Sequence, residues 1–329
     1  MSSPAAQPRS VKSGVVRIVL FFVLLTGVLF LLDAVINTGL RRLTTGTYGV
    51  TNRIVQGRVN AEILISGSSR AQTHYDPQII QSITGRSTFN MGINGSQTDM
   101  QLAMLKTYLQ HNPKPALVIH NLDLFSFVTT HEVYDPAQYL PYLHETPLYE
   151  GIRQYQPGVW KWRYLPLYGY AVEDLRFTWL LGLKGFAGVQ PPETHFQGYT
   201  PRHTPWTGEF EAFRANHPEG VTFEIEERGV RLMEELVQVC VKNGIPLILV
   251  YSPVYSEMQP LERNRDEIFR RFHALADTFK VPIEDFSSSM ICRDQANFYN
   301  SQHLNVQGAT LFSQELAARL KAKGFTGRL

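Results

Sequence analysis

The sequence predicts an α/β fold, a three-layer α/β/α sandwich around a parallel sheet. Five short apolar runs are typical of strands that are buried on both faces. Helical patterns alternate with these runs over most of the chain, and such alternation indicates a parallel sheet with helices on its faces. The 329 residues, 43% of them hydrophobic and 18% charged, are sufficient for a large core.

Net charge and cysteine spacing argue against several function classes. The formal net charge of +2 is close to zero, and no Lys/Arg-rich run supports a nucleic-acid partner. Cys240 and Cys292 lie far apart and lack metal-site spacing, so we interpret them as core residues, with a single disulfide as the alternative. His74, Asp76 and His131 also lack ligand spacing. The sequence therefore predicts no cofactor and no metal site.

The N-terminal part of the chain predicts a tail and a transmembrane helix. Residues 1–13 are polar and small, which indicates a disordered tail. Residues 14–40 are apolar, and their uncharged centre, Ile18–Leu32, reaches the roughly 20 residues that a bilayer requires once its apolar flanks are included. A cleaved signal peptide and a buried core helix are the alternatives. No small-x-small cleavage site follows closely, and no polar face is present, so we favour the membrane span.

The chain beyond residue 40 provides the elements of the sandwich. Residues 41–60 form a polar connector, and the α/β domain is expected at residues 61–329. The expected strands are Glu62–Ser66, Ser87–Asn90, Ala116–His120, Pro246–Tyr251 and Val281–Glu284. The expected helices are Pro77–Ile83, Thr98–His111, Phe223–Asn243, Gln259–Phe279 and Val306–Lys323. Helix stop signals such as Asn243-Gly244 before Pro246 support these bounds.

One stretch, at about residues 129–221, departs from this alternation. It is rich in proline and in aromatic residues, such as Tyr134, Trp160, Trp179 and Trp206. A structureless loop of this length is improbable in a compact domain, so we expect a helical insertion or lid. Its aromatic side chains could form a platform for carbohydrate or lipid. Alternatively, they form the insertion's own core or lie against the membrane surface.

Polar loops follow the predicted strands, where open α/β sheets bind their ligands. The first strand is followed by Gly67-Ser68-Ser69, and the second by a Gly/Asn-rich loop, residues 90–96, which can bring backbone amides close to an oxyanion. The third is followed by residues 120–123, which include Asn121 and Asp123. Near the C-terminus comes Asn300-x-x-His303. Because these loops converge on one edge of the sheet, we expect Ser69 and His303 to be neighbours.

The order of these motifs resembles the SGNH (GDSL-like) hydrolase superfamily. The resemblance implies an SGNH/flavodoxin-like sandwich over about residues 61–323, without the insertion. It implies that Ser69 is the nucleophile, His303 the general base, and Gly95 and Asn121 oxyanion donors. Asn300 stands where the superfamily has the aspartate that orients the histidine. An asparagine can hold the imidazole tautomer but cannot stabilise imidazolium by charge. Asp285 or Asp294 could replace it in that role.

The resemblance also implies a function class and a location. A single N-terminal span before such a domain is similar to the membrane-anchored acyl-transfer members, such as the D-alanyl transfer protein of teichoic acids and the SGNH proteins of polysaccharide O-acetylation. It implies a serine esterase or O-acyltransferase on the outer face of the inner membrane. The expected partners are the lipid bilayer, an acylated carbohydrate or lipid-linked substrate, and a membrane acyltransferase. The alternative is a non-catalytic binding or assembly module on the same scaffold. Basic residues flank the span on both sides, so charge does not decide its orientation.

Overall fold

The computed structural model describes residues 11–129, 131–172 and 176–325. Residues 1–10 of the predicted tail lie outside the described residues, and the first helix already includes residues 11–13. The helices before the third strand are α1 (Val11–Arg41), α2 (Gly46–Val55), α3 (Ser69–His74), α4 (Pro77–Thr84) and α5 (Thr98–His111). The later helices are α6 (Thr146–Arg153), α7 (Val159–Tyr164), α8 (Tyr168–Val172), α9 (Arg176–Phe186), α10 (Glu209–Asn216), α11 (Glu227–Lys242), α12 (Arg265–Phe279) and α13 (Val306–Ala322).

In the described part of the chain, five strands form one parallel sheet in the order β2-β1-β3-β4-β5. They are β1 (Ile63–Ser66), β2 (Thr88–Asn90), β3 (Leu117–Asn121), β4 (Leu247–Tyr251) and β5 (Ile283–Asp285). All residues of the first four strands are buried, which explains why their sequences are continuously apolar rather than alternating. Helices α4 and α13 pack together on one side, and α5 packs against α11 in the other helical layer. The predicted three-layer fold class is confirmed.

Two helices begin later than their sequence patterns indicate. The predicted helix from Gln259 starts at Arg265 instead, because Pro260 lies in a short 3-10 turn. The predicted helix from Phe223 starts at Glu227. The Asn264 side chain links the two segments that precede these helices, since its amide donates to Phe223 O at 2.8 Å and its oxygen accepts from Phe223 N at 3.0 Å.

The N-terminal helix joins the rest of the fold at its C-terminal end. Within the described residues, one helix is long and apolar enough to cross a membrane, over Gly14–Arg41. Most of its apolar side chains over residues 15–32 are exposed, whereas Leu40 near its end and Leu43 just after it are buried. Asn52 of α2 donates to the carbonyls of both leucines at 2.7 Å. The end of α1 is therefore part of the core of the domain.

The predicted insertion contains α6 to α10 and an extended segment between α9 and α10. Helix α9 packs along the end of α1, where a Cβ on Gly39 would lie 1.7 Å from the carbonyl oxygen of Gly182. Cys240 and Cys292, elsewhere in the domain, are both buried and free.

Candidate active site

The turn after β1 places Ser69 at the start of α3. Gly67 has a φ of +144°, and a Cβ there would lie 2.9 Å from the Cβ atoms of Ala71 and Asn121, so the turn requires glycine. Ser68 caps α3, because its hydroxyl accepts from Arg70 N at 3.2 Å. Ser69 is half-buried at the first helical position, where its backbone N–H has no partner within the helix.

His303 lies on a short hairpin that the sequence did not reveal. The hairpin pairs β6 (Phe298–Asn300) with β7 (His303–Leu304) just before α13. Within it, Asn300 Oδ1 accepts from Gln302 N at 3.1 Å and from His303 N at 3.0 Å. Because two backbone N–H groups point at this atom, it must be the oxygen of the side-chain amide. The hairpin thereby fixes the orientation of Asn300.

The structure brings Ser69, His303 and Asn300 into one chain of hydrogen bonds. Ser69 Oγ lies 2.8 Å from His303 Nε2, although the residues are 234 positions apart. His303 Nδ1 lies 3.0 Å from Asn300 Oδ1. Since Asn300 Oδ1 can only accept, Nδ1 carries the proton of the neutral ring and Nε2 is left to accept from the Ser69 hydroxyl. This is the tautomer that a general base requires.

The surroundings of His303 keep its ring neutral. Burial, together with the positive charges of Arg70 and Arg202, lowers the pKa of His303 to about 3. Tyr299 stacks on the ring with centroids 5.3 Å apart and planes 20° apart. Protonation of this imidazole is therefore disfavoured, in contrast to a site whose histidine faces a carboxylate.

The Gly/Asn-rich loop after β2 lies against the same turn. Ile93 N donates to Gly67 O at 2.9 Å, and a Cβ on Gly92 would lie 2.4 Å from Gln72 N of α3. Gly95 is exposed with a φ of +66°, and a Cβ there would meet the Tyr134 ring at 2.6 Å. Glycine is thus required both for the backbone conformation and for the close approach of Tyr134.

Asn121 lies beneath the turn, fully buried at the end of β3. Its Oδ1 accepts from the Tyr75 hydroxyl at 2.8 Å, and its Nδ2 donates to Leu122 O and Asp123 Oδ1, both at 3.1 Å. In this arrangement the amide supports the turn and does not have a hydrogen left over for a ligand.

Arg70 and Asp123 form a buried ion pair that sequence reasoning missed. Their atoms Nη1 and Oδ1 are 3.1 Å apart, and both side chains are at most 4% exposed. Arg70 also donates to the Ser252 carbonyl and lies over the Tyr251 ring. The signal was present, because opposite charges follow two neighbouring parallel strands directly. The pair anchors the residue next to Ser69.

The carboxylates considered as substitutes for Asn300 have other partners. Asp285 Oδ1 accepts from Ser287 N at 2.8 Å, and Asp294 Oδ1 accepts from Ala296 N at 3.0 Å. Both side chains are exposed. The contact to His303 Nδ1 comes from Asn300 instead.

The extended segment of residues 194–207 forms a wall of the site that no sequence motif indicated. Thr200 N donates to Gln72 O at 2.9 Å, Val306 N donates to Arg202 O at 2.8 Å, and Thr207 N donates to Tyr299 O at 2.9 Å. These bonds fasten the segment to α3, to α13 and to the hairpin. Beyond it, a cavity of about 240 Å³ borders His303 and is lined by Phe210 and Phe213 of α10.

Comparisons with known proteins give no match in sequence and distant matches in structure. No protein-family model matches the chain, and no curated protein matches it. An acetylxylan esterase from Geobacillus stearothermophilus is similar with a TM-score of 0.38 and 14% identity, over 83% of this chain and 100% of that chain. A GDSL-like lipase from Bacteroides thetaiotaomicron is similar with a TM-score of 0.38 and 10% identity, over 83% of this chain and 99% of that chain. Because both TM-scores are below 0.5, the chemistry of the site rests on its own residues.

Proposed function

We propose that this chain is a serine esterase or O-acyltransferase with an SGNH-type site. The fold has the arrangement that this resemblance implies, with Ser69 after the first strand of a parallel sheet and His303 before the last helix. The observation that carries the proposal is the 2.8 Å contact between Ser69 Oγ and His303 Nε2. Together with the Asn300 contact, it supports a serine nucleophile paired with a base in the correct tautomer.

The proposed reaction is acyl transfer through a covalent intermediate. Ser69 Oγ attacks the acyl carbonyl while His303 Nε2 takes its proton. The protonated ring then gives this proton to the departing alkoxide, and the acyl group remains on Ser69 as an ester. Water or a sugar hydroxyl, deprotonated by the same ring, attacks the ester, and the ring returns this proton to Ser69 Oγ as the acyl group leaves it. The choice between hydrolysis and transfer depends on whether a sugar or water occupies the acceptor position.

We assign the stabilisation of the oxyanion to the backbone N–H groups of Ser69 and Gly95. Ser69 N supports this assignment because it is a first-turn helical N–H with no partner in its own helix. Asn121 would become a third donor by exchanging its bond to Leu122 O or Asp123 for one to the oxyanion.

Labelling with a fluorophosphonate and turnover of an activated acetyl ester test the nucleophile. We expect Ser69→Ala to abolish labelling and to lower turnover by at least about 10³-fold, because no other group in this proposal attacks the carbonyl. Ser82→Ala is the matched control, since Ser82 is exposed on α4 and donates only to Ile79 O at 2.8 Å. Labelling of Ser69→Ala at the level of the control would remove Ser69 from the reaction.

A non-catalytic binding or assembly module is the second candidate, and Asn300 favours it. A neutral residue at this position leaves the imidazolium without a charge partner. A module of this kind would show neither fluorophosphonate labelling nor turnover, in the unchanged chain or in Asn300→Asp.

We further propose that α1 anchors the chain in the inner membrane by a single span, with the α/β domain on the extracytoplasmic side. Ile36 and Leu40 of α1 are buried in the core of the domain, so cleavage as a signal peptide after α1 would remove core side chains, which argues for retention. Helix α9 supports contact with lipid, because it lies beside α1 and exposes Phe177 and Trp179.

Extraction and protease protection test this placement. The chain should stay in the membrane pellet at alkaline pH, and a tag after Phe325 should be accessible only from the extracytoplasmic side. Release of the full-length chain at alkaline pH would exclude the anchor, and a tag accessible only from the cytoplasm would reverse the orientation.

The proposed substrate is an acyl ester of an envelope carbohydrate, free or lipid-linked, with a membrane acyltransferase as the source of the acyl group. A small acyl ester is supported by the cavity that Phe210 and Phe213 line, because this cavity borders His303, the partner of the half-buried Ser69. Acetate release measured with and without an added sugar acceptor distinguishes the two reactions. Formation of an acetylated sugar indicates transfer, and release of acetate alone indicates hydrolysis.

A further inference from the structure

A second cavity, of about 300 Å³, borders α3, the helix that carries Ser69, and has no role in the reaction described above. Its walls come from α2, from Gly92, Ile93 and Asn94 of the Gly/Asn-rich loop, and from residues 194–202. Gln72, one turn after Ser69 in α3, also lines it. The cavity therefore borders α3, the helix that begins at Ser69, and the loop that carries Gly95.

Arg202 lines this cavity on the side of the catalytic histidine. Its backbone is fixed by the bond from Val306 N, and its positive charge acts on both His303 and His195. Among residues 11–129, 131–172 and 176–325, its guanidinium has no hydrogen-bond or ion-pair partner, and its Nε is buried. Arg70, the other cation that acts on His303, is by contrast paired with Asp123. Burying part of an unpaired cation is unfavourable unless an anion reaches it.

The remaining polar groups of the cavity suit the rest of a hydroxylated ligand. Thr200 Oγ1 is buried without a partner in the described residues and lies on the same wall as Arg202. Asp135 also lines the cavity, but its charge acts on Tyr48 and Tyr139 at the α2 side. A ligand would thus meet a cation at the end near His303 and a carboxylate, which accepts from hydroxyl groups, at the other end.

We propose that this cavity binds the sugar part of the substrate and that Arg202 pairs with a negatively charged group of that sugar, a carboxylate or a phosphate. The proposal rests on the proposed esterase function and adds the charge class of its substrate. A bound anion next to Arg202 would also bring negative charge toward His303 during the reaction, which is the charge that the neutral Asn300 does not supply.

Three sugar acetates that differ only in charge test the proposal: an O-acetylated methyl glucoside, its uronate counterpart and its 6-phosphate counterpart. We expect the full chain to prefer at least one charged ester over the neutral one in kcat/KM by about 10-fold or more. Arg202→Gln should lower this preference by about 10- to 100-fold, the range of a charge-assisted hydrogen bond. Arg202→Lys should keep part of the preference, and Arg270→Gln, an exposed arginine of α12, should keep all of it. The uronate and phosphate arms identify which anion is bound.

Equal kcat/KM for the three esters, or a preference that survives in Arg202→Gln, would overturn this inference. Turnover that still depends on Ser69 would in that case continue to support the proposed esterase function. If no ester is turned over, calorimetric binding of the deacetylated sugars to Ser69→Ala decides instead. Binding of a charged sugar that Arg202→Gln removes supports the cavity assignment and shows that only the catalytic proposal failed. Binding of neither charged sugar rejects the assignment.

Discussion

His74 and His303 lie edge to face, with ring centroids 6.1 Å apart and planes 89° apart, but their ring nitrogens face different groups. His74 Nδ1 lies 2.9 Å from Ser252 Oγ, and its Nε2 accepts from Leu304 N at 3.0 Å. His303 has Asn300 on one nitrogen and the hydroxyl of Ser69 on the other. Burial lowers the pKa of both rings. The difference is that His74 is fully used to hold the hairpin, whereas His303 faces a group that can react.

The largest expected effect is on catalysis and concerns His303, the ring that contacts Ser69. His303→Gln should lower kcat for an acetyl ester by at least about 10³-fold, because the proton of Ser69 Oγ then has no base to accept it. The unfolding midpoint in denaturant should change little, since the residue is not fully buried and glutamine can still reach the polar hairpin. A variant with more than a tenth of the activity would show that His303 is not the general base.

The next effect concerns stability and the other ring. His74→Phe should lower the free energy of unfolding by about 2–5 kcal/mol, because Leu304 N and Ser252 Oγ lose their partner in a fully buried place. Denaturant unfolding followed by circular dichroism measures it. Ser252→Ala, which removes one of the two bonds, should cost less. A destabilisation equal to that of an exposed substitution would mean that His74 does not hold the hairpin.

Restoring a carboxylate tests what limits His303. Asn300→Asp keeps an acceptor opposite Nδ1 and for the two backbone N–H groups, and it adds the charge that stabilises imidazolium. We expect kcat to rise by about 10- to 100-fold, which a stopped ester assay resolves. Asn300→Leu is the control and should lower kcat, because the ring loses its orienting partner. An unchanged or lower kcat in Asn300→Asp would indicate that the site is adapted to a neutral partner.

The sheet could be predicted from the sequence because its signals are local. Each of the strands β1 to β4 is a short apolar run whose residues are all buried, so composition alone locates it. The convergence of the loops followed from the topology, since parallel strands end at one edge. This places the Ser69 turn at that edge, whereas the contact with His303 also depends on the hairpin that carries His303. Their catalytic roles are still predictions.

The rest of the site could not be predicted because long-range contacts define it. The hairpin has only two residues in β7, too few for a periodic pattern. The segment carrying Arg202 has no helical or strand period, and bonds to Gln72, Val306 and Tyr299 hold it in place. For Asn121, the family motif indicated an oxyanion donor, but the partner of its amide depends on Asp123 and Tyr75, which only the fold brings together.

The smallest expected effect is on the acid side of the pH profile. An ordinary imidazole has a pKa near 6.5, so only about 3% of such rings would be neutral at pH 5. Because the pKa of His303 is about 3, its ring stays neutral there. We therefore expect kcat/KM at pH 5 to be within about threefold of its value at pH 7. In Asn300→Asp, the loss of activity on acidification should begin at a higher pH, because the carboxylate raises the pKa of the ring.

The free energy of unfolding, unlike kcat/KM, should fall as the pH is lowered. Folded His74, His120 and His303 all have a lowered pKa, that of His120 to about 4, so protons bind the unfolded chain first. Stability is therefore full above pH 6.5 and falls as the pH drops toward 4, by about 1.4 kcal/mol for each unit between folded and unfolded pKa values. Thermal melts at pH 7 and pH 5 should show this decrease while initial rates per folded molecule persist. If the rate and the melting temperature instead fell together with a midpoint near pH 6.5, His303 would titrate as an exposed imidazole. His303 and His74 would then differ only in the groups that their ring nitrogens contact.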